Sequence, residues 1–352
     1  MSDNSAQSDS IKAHEQDKKT SFQAELLYNR LAKRYRHLKK WARRIGTNAF
    51  RLYDRDIPEI PLVLDIYGDA VSGAIFKKPW EKNEVDKISV KADMEQTEKW
   101  LMAMRSSIAA ALGISEDSIF LKERQRMKDR QERGSQYVKL KGKSYYKDVN
   151  EGDMIFRVNL CAYIDTGLFL DARKKRALIR SEAEGKRVLN LFAYTCTLSV
   201  CAAMGAAAQV DSVDSSNTYI EWGKINFALN GIAVNDLTER GRFNFIKSDV
   251  FYYLEQAEKK RTRWDLIILD PPSFSNSKKM RGTLDIKRDH NRLINCCLSL
   301  LNPGGTLWFS ANKKGLSLEN KAFPGFTTKD MRAELVDEDF RGKRIPLCFK
   351  IY

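Results

Sequence analysis

Leu266-Ile267-Ile268-Leu269-Asp270-Pro271-Pro272-Ser273-Phe274 is the stretch whose reading decides the fold. Four apolar residues run straight into an acid, two prolines and, one residue on, an aromatic. The run is too short for a typical helix and is flanked by breakers, so it reads as a buried strand of a parallel sheet. Pro271 and Pro272 end it and stiffen the next turn. Asp270 is thereby presented at the carboxyl end of a strand, where open α/β sheets bind their ligands. Such a tip suits a planar amine or base. The competing reading is a strand ending in a proline turn, with Asp270 capping something local.

Upstream of that run, strand and helix patterns alternate from Arg187 onward, as parallel sheets with crossover helices do. Residues 187–192 are the first strand, ending in Ala193-Tyr194-Thr195-Cys196-Thr197, and a small-residue helix follows. The second strand, 210–213, ends at Asp214, about 20 residues after the first turn, where an acid accepts from ribose hydroxyls. No G-x-G-x-x-G is present, which disfavours a pyrophosphate cradle and favours a nucleoside ligand such as S-adenosylmethionine. A third strand, 243–247, leads into Ser248-Asp249-Val250, and Asp249 is placed to accept from an adenine amino group. Each acid alone reads equally well as a helix N-cap. Three at successive tips (Asp214, Asp249, Asp270) favour a ligand.

The chain has 352 residues and 43% hydrophobic content, enough for a full core and two domains. Lys+Arg exceed Asp+Glu by 61 to 46, a formal charge of +15 that points to a polyanion. No stretch is long and apolar enough for a membrane span or a signal core, and residues 1–20 read as a disordered polar tail. Six cysteines form no Cys-x-x-Cys, and the three histidines do not group with them, so neither metal nor disulfides are expected. The chain reads as cytoplasmic.

Residues 21–55 form a basic helical segment. Leu27, Leu31, Leu38, Ala42 and Ile45 share one helix face. Nine cations and no acid lie between Tyr28 and Tyr53, with Tyr35 and Trp41 interleaved. A charge run this unopposed calls for an anion, here phosphate. Residues 56–160 read as a small α+β domain for RNA or substrate, with a 62–67/71–76 hairpin, a helix over 100–112, strands near 118–123 and 154–160, and a charged loop between. Residues 161–352 read as the α/β domain that carries this sheet. The cations expected to grip RNA are Arg30, Lys33, Arg34, Lys40, Arg43, Arg44, Arg51, Arg124 and Arg126.

Several longer motifs carry a resemblance: Lys40-Trp41-Ala42-Arg43, Arg51-Leu52-Tyr53-Asp54, Asp165-Thr166-Gly167-Leu168-Phe169-Leu170-Asp171, Leu189-Asn190-Leu191-Phe192, residues 269–278, and Phe309-Ser310-Ala311-Asn312-Lys313-Lys314-Gly315. They resemble the RlmK family, the C-terminal half of the bacterial bifunctional RlmKL enzymes, which methylates N7 of a guanosine in 23S rRNA. The resemblance covers nearly everything after the first 20 residues. It implies a class I, Rossmann-like α/β domain using S-adenosylmethionine, preceded by the small α+β domain and the basic helix. It also implies a cofactor set of Asp165, Leu168, Phe169, Asp171, Asn190, Phe192, Ala193, Tyr194, Thr195, Asp214, Ser215, Asp249, Val250 and Asp270. Asp270, Pro271, Pro272 and Phe274 would face the base, with Phe274 stacking on it. Cys196 stands where the family usually carries glycine, at a turn where backbone approach to the ligand matters. The bifunctional family's other half has no counterpart here, which leaves room for a separate partner.

The chemistry favours N7 over cytosine C5. C5 methylation needs a thiolate, and Phe309-Ser310-Ala311-Asn312 carries no cysteine where related cytosine enzymes have one. Guanine N7 has a lone pair and attacks directly, so alignment is most of the catalysis. The alternatives are methylation of a base amino group or of cytosine C5, and a non-catalytic RNA-binding or ribosome-assembly protein with the same fold.

Overall fold

The apolar stripe near the N-terminus lies on one long helix, α1 (Asp3–Arg44). Its Leu27, Leu31, Leu38, Trp41 and Ala42 are buried. The stretch read as a disordered tail is helical from Asp3 onward, a correction with a simple cause. It contains no glycine or proline, and extending an existing helix avoids the cost of nucleating one.

The computed structural model describes residues 3–76, 87–123, 144–234, 241–275, 283–313, 315–318 and 322–352. The chain divides into two units, Met1–Arg126 and Met127–Tyr352. In the first, β1 (Ala49–Asp54), β2 (Leu62–Tyr67), β3 (Ala70–Ile75) and β4 (Ile119–Glu123) lie side by side in chain order. The first three are antiparallel, and β4 joins β3 in parallel after a crossover through α2 (Lys87–Leu112). One core joins Leu31 and Leu38 of α1, Phe50, Leu52 and Leu64 of the sheet, and Trp100, Met104 and Ile108 of α2.

The second unit opens with a hairpin, β5 (Tyr146–Glu151) and β6 (Met154–Asn159), followed by α3 (Arg173–Glu182). Sequence reading put this hairpin in the small domain. It groups instead with the second unit, since Asn226 and Asn230 bond to the backbone of Ile155 and Arg157.

The main sheet then forms from β7 (Arg187–Leu191), β8 (Gln209–Asp214), β9 (Phe243–Lys247), β10 (Trp264–Leu269), β13 (Leu301–Ala311), β14 (Thr328–Asp330) and β15 (Leu347–Ile351). Between them run α4 (Thr197–Met204), α5 (Asn217–Leu229), α6 (Val250–Lys259), a short β11–β12 pair (Phe274–Ser275 and Leu284–Asp285) and α7 (Ile286–Leu298). The spatial order is β14-β15-β13-β10-β7-β8-β9. Strands β7, β8, β9, β10 and β13 are parallel, and β15 is antiparallel to β13.

Leu266, Ile267, Ile268 and Leu269 have no exposed surface. Burying a side chain of this kind stabilises by roughly 1.5–3 kcal/mol, which is why β10 reads as an unbroken apolar run. The chain moves outward from β7 to β8 and β9, then returns to β7's other flank with β10 and β13. That reversal between β7 and β10 opens a crevice at the strand tips.

Candidate cofactor and substrate site

The loop after β7 is the most constrained backbone in the molecule's main sheet. Phe192, Tyr194 and Cys196 have φ of 56°, 51° and 58°, a region that non-glycine residues occupy at a cost of order 1–3 kcal/mol each. The surroundings hold them there. Tyr194 N donates to Asp214 Oδ2 (2.9 Å), Ala193 N to the Val213 carbonyl (3.0 Å), and Asn226 Nδ2 to the Thr195 carbonyl (2.8 Å).

The Thr195 hydroxyl donates to the Gly167 carbonyl (2.5 Å), tying this loop to residues 165–171. Gly167 has φ +97°, and a Cβ there would overlap Trp222. Arg176 Nη1 donates to the Phe169 carbonyl (2.9 Å), and the Phe169 and Tyr194 rings lie 5.4 Å apart. The structure thus joins the two segments expected to flank a cofactor.

Cys196 occupies its turn without pointing a side chain outward. It is fully buried, and a Cβ on Gly223 of α5 would collide with its sulfur and Cβ. The missing side chain at Gly223 makes room for the one at Cys196.

The three acids stand at the carboxyl ends of β8, β9 and β10, within four adjacent strands of one sheet. With strands about 4.8 Å apart, the tips of β8 and β10 are roughly 10 Å from each other. Asp214 Oδ1 accepts from Ser216 N (2.8 Å), so both its oxygens order backbone. Asp249 caps α6 by accepting from Tyr252 N (2.9 Å) through Oδ1. Its Oδ2 is buried without a hydrogen-bond partner. A buried oxygen left bare costs about 1–3 kcal/mol, a cost that a donor entering the crevice would relieve.

Asp270 Oδ2 accepts from Lys175 Nζ (2.6 Å), which also donates to Ser310 Oγ (2.8 Å) at the end of β13. Lys175 is buried and the Asp270 side chain is one-third exposed. Burial alone would lower the lysine's pKa, but Asp270 outweighs it and holds the ammonium above its usual range. Ser273 Oγ donates to the Asn312 carbonyl (2.6 Å), fastening the turn after β10 to that after β13.

Some expected site residues are committed elsewhere. Asn190 gives its side-chain amide to Ser199 and is buried in β7. Leu168, Thr195 and Val250 are buried beneath the site. Phe274 is 8% exposed, paired with Asp285 in the β11–β12 ladder, so its ring is no stacking platform in this structure. Asp165, Asp171, Ser215 and Pro272 are half-buried, Ala193 and Pro271 buried, and Phe169 is exposed.

Among the expected RNA contacts, Arg30, Lys33, Lys40, Arg43 and Arg44 are exposed on α1. Arg34 and Arg51 are not available. Arg34 donates to the Leu52 carbonyl and faces Asp56, and Arg51 makes a bidentate pair with Asp65. Arg124 and Arg126 lie outside the described residues.

Sequence reading missed the inward face of α3. Arg176 pairs bidentately with Glu151, and Arg173 reaches Asp337 and Asp339. The available signal was a helix opening on four consecutive cations, Arg173 to Arg176, with Arg173 and Arg176 three apart on one face. A surface cleft of about 680 Å³ between α6 and α7, lined by Phe251, Glu255, Arg288 and Cys296 among others, contains none of the three tip acids.

A family model for S-adenosylmethionine-dependent methyltransferases matches residues 101–321, and this chain belongs to that family. Its cofactor is S-adenosylmethionine, which the bare Asp249 oxygen and the constrained β7 loop fit. Within the family, it is 42% identical over 323 residues to ribosomal RNA large subunit methyltransferase K of Neisseria meningitidis, covering 92% of this chain and 86% of that one. It is 40% identical to ribosomal RNA large subunit methyltransferase K/L of Methylococcus capsulatus, covering 94% of this chain and spanning 42% of that longer protein. Among solved structures, a SAM-dependent methyltransferase from Agrobacterium tumefaciens has the same fold (TM-score 0.53, 19% identity, 82% of this chain and 86% of that one). So does the methyltransferase-like SMU.776, solved with SAH (TM-score 0.67, 22% identity, 93% and 81%). Among the described residues, no helix is long and apolar enough to cross a membrane.

Proposed function

We propose that this chain methylates N7 of a guanosine in 23S rRNA, in the cytoplasm, by direct attack and without a covalent enzyme intermediate. One observation carries the choice of chemistry: the reacting corner offers a rigidly held carboxylate and no ionised thiol. Cys196, Cys201, Cys297 and Cys348 are buried. Burial pushes all four thiols up, Cys348 to about 12. Cys348 stands opposite Ser310 across the β13–β15 ladder. A C5 mechanism would need a thiolate there. The names of the relatives supply the rRNA.

S-adenosylmethionine supplies an electrophilic methyl group. Asp214 holds the ribose hydroxyls, Asp249 Oδ2 accepts from the adenine amino group, and the Phe192–Thr195 loop borders the methionine end. Asp270 accepts from the ring N–H and amino group of the guanine, leaving N7 free to react. N7 carries no proton at neutral pH, so no general base is required, and well-oriented reactions gain on the order of 7–11 kcal/mol from alignment. N7 is out of reach in the narrow major groove of A-form RNA, so the nucleotide must be unpaired or flipped out. The exposed cations of α1 bind flanking phosphates.

The test is mass-spectrometric mapping of 23S rRNA from cells with and without the gene, followed by restoration with purified protein. A 7-methylguanosine that disappears and returns is the expected result. Loss of a methylated amino group or of 5-methylcytosine instead would overturn the assignment.

A further inference from the structure

We propose that Lys175 is a positioning residue that sets which base the site accepts, by fixing Asp270 as an acceptor for a purine edge with two adjacent N–H donors. This rests on the reading that Asp270 holds the target base.

The geometry is specific. Lys175 Nζ lies 2.6 Å from Asp270 Oδ2 and 2.8 Å from Ser310 Oγ, so the ammonium bridges the tips of β10 and β13 from α3. The lysine is almost wholly buried, while the carboxylate it holds reaches solvent. Asp270 Oδ1 has no hydrogen-bond partner among the described residues, and Oδ2 keeps a second lone pair.

Stability alone does not explain a cation in this position. Burying an ion pair is often no better than burying apolar side chains of similar size. Helix α3 is anchored independently, through Arg173 to Asp337 and Asp339 and through Arg176 to Glu151. Lys175 directs its charge at Asp270, at the tip of β10.

A lysine ammonium only donates. Asp270 is therefore arranged to accept, both from Lys175 and from whatever enters. Guanine offers N1–H and the 2-amino group side by side. Adenine offers an acceptor, N1, in the matching place, and two acceptors face to face leave a buried group unpaired. Lys175 acts on the base only through Asp270. Without it the carboxylate turns, and the penalty for a base lacking a donor falls.

The experiment compares two RNA fragments carrying the mapped nucleotide as guanosine or as inosine, which lacks the 2-amino group. Wild-type enzyme should prefer guanosine by about tenfold to a hundredfold in kcat/KM, the range for losing one hydrogen bond to a charged group. In Lys175→Met the preference should shrink to about threefold or less. The guanosine rate should drop while KM for RNA, set by phosphate contacts, changes little. Ser310→Ala, which removes only one acceptor of the ammonium, should lose part of the preference and guards against a misfolded Lys175→Met.

A wild-type guanosine-to-inosine ratio in both variants, with both rates lowered equally, means a merely structural role and overturns the proposal. If wild-type enzyme yields no 7-methylguanosine, the assignment under Proposed function fails first. A retained ratio with 7-methylguanosine formed sinks the role of Lys175 alone.

Discussion

Helix α1 carries Arg30, Lys33, Lys40, Arg43 and Arg44 on its exposed side, whereas α3 turns Arg173, Lys175 and Arg176 inward. Both helices read as basic, yet one leaves its charge to solvent and the other spends it on four acids from other elements. On α1 the cations lie opposite an apolar stripe, so the helix face itself separates them from the core. On α3 the inner face is cationic because Glu151, Asp270, Asp337 and Asp339 converge on it. Local charge therefore says little about destination. What decides it is whether acids distant in the chain fold onto the same face.

The sharpest way to break this contrast is to remove one buried cation. Arg176→Met leaves Glu151 buried without its bidentate hydrogen bonds, with only the longer Arg173 contact at 3.8 Å, and should destabilise by about 3–5 kcal/mol in denaturant unfolding. Lys40→Met on α1 should stay within about 0.5 kcal/mol. Equal effects would erase the distinction. Next in size, changing Arg30, Lys33, Lys40, Arg43 and Arg44 together to Gln should weaken RNA binding without altering the unfolding midpoint. If each meets one phosphate of a single strand, the slope of log affinity against log salt becomes shallower by about 3.5. An unchanged slope removes α1 from the interface.

A smaller effect tests how the constrained loop is accommodated. Gly223→Ala should cost about 1–3 kcal/mol by overpacking against Cys196. Adding Cys196→Gly should recover part of that cost, with a coupling of roughly 0.5–3 kcal/mol. Strict additivity would show that the two positions do not share space.

Strands β7, β8, β9 and β10 were legible as short, largely apolar runs between helical patterns, whereas the bounds of β13, β14 and β15 were not. β9 spans 243–247 as read, and β10 extends the apolar run by two residues, to Trp264. The acids at their tips were legible for the same reason, since a strand's end fixes where the next residue sits. Lys175 was not. Its partners are 95 and 135 residues away in the chain, and nothing local separates a lysine bound for the interior from its neighbour Lys174. The low exposure of Phe274 was not legible because the β11–β12 pairing that holds its backbone joins segments with no alternating pattern. The helical start of the chain was misjudged because polar composition argues against a core, and a helix that extends one already formed does not need its own.

The most direct test of the central claim, that the cofactor lies across the tips of β7, β8 and β9 beside Asp270, is a crystal structure of the protein with S-adenosylhomocysteine. The ribose hydroxyls should lie within hydrogen-bonding distance of Asp214 and the adenine amino group against Asp249 Oδ2. Density for the ligand in the cleft between α6 and α7, with Asp249 Oδ2 still bare, would contradict it.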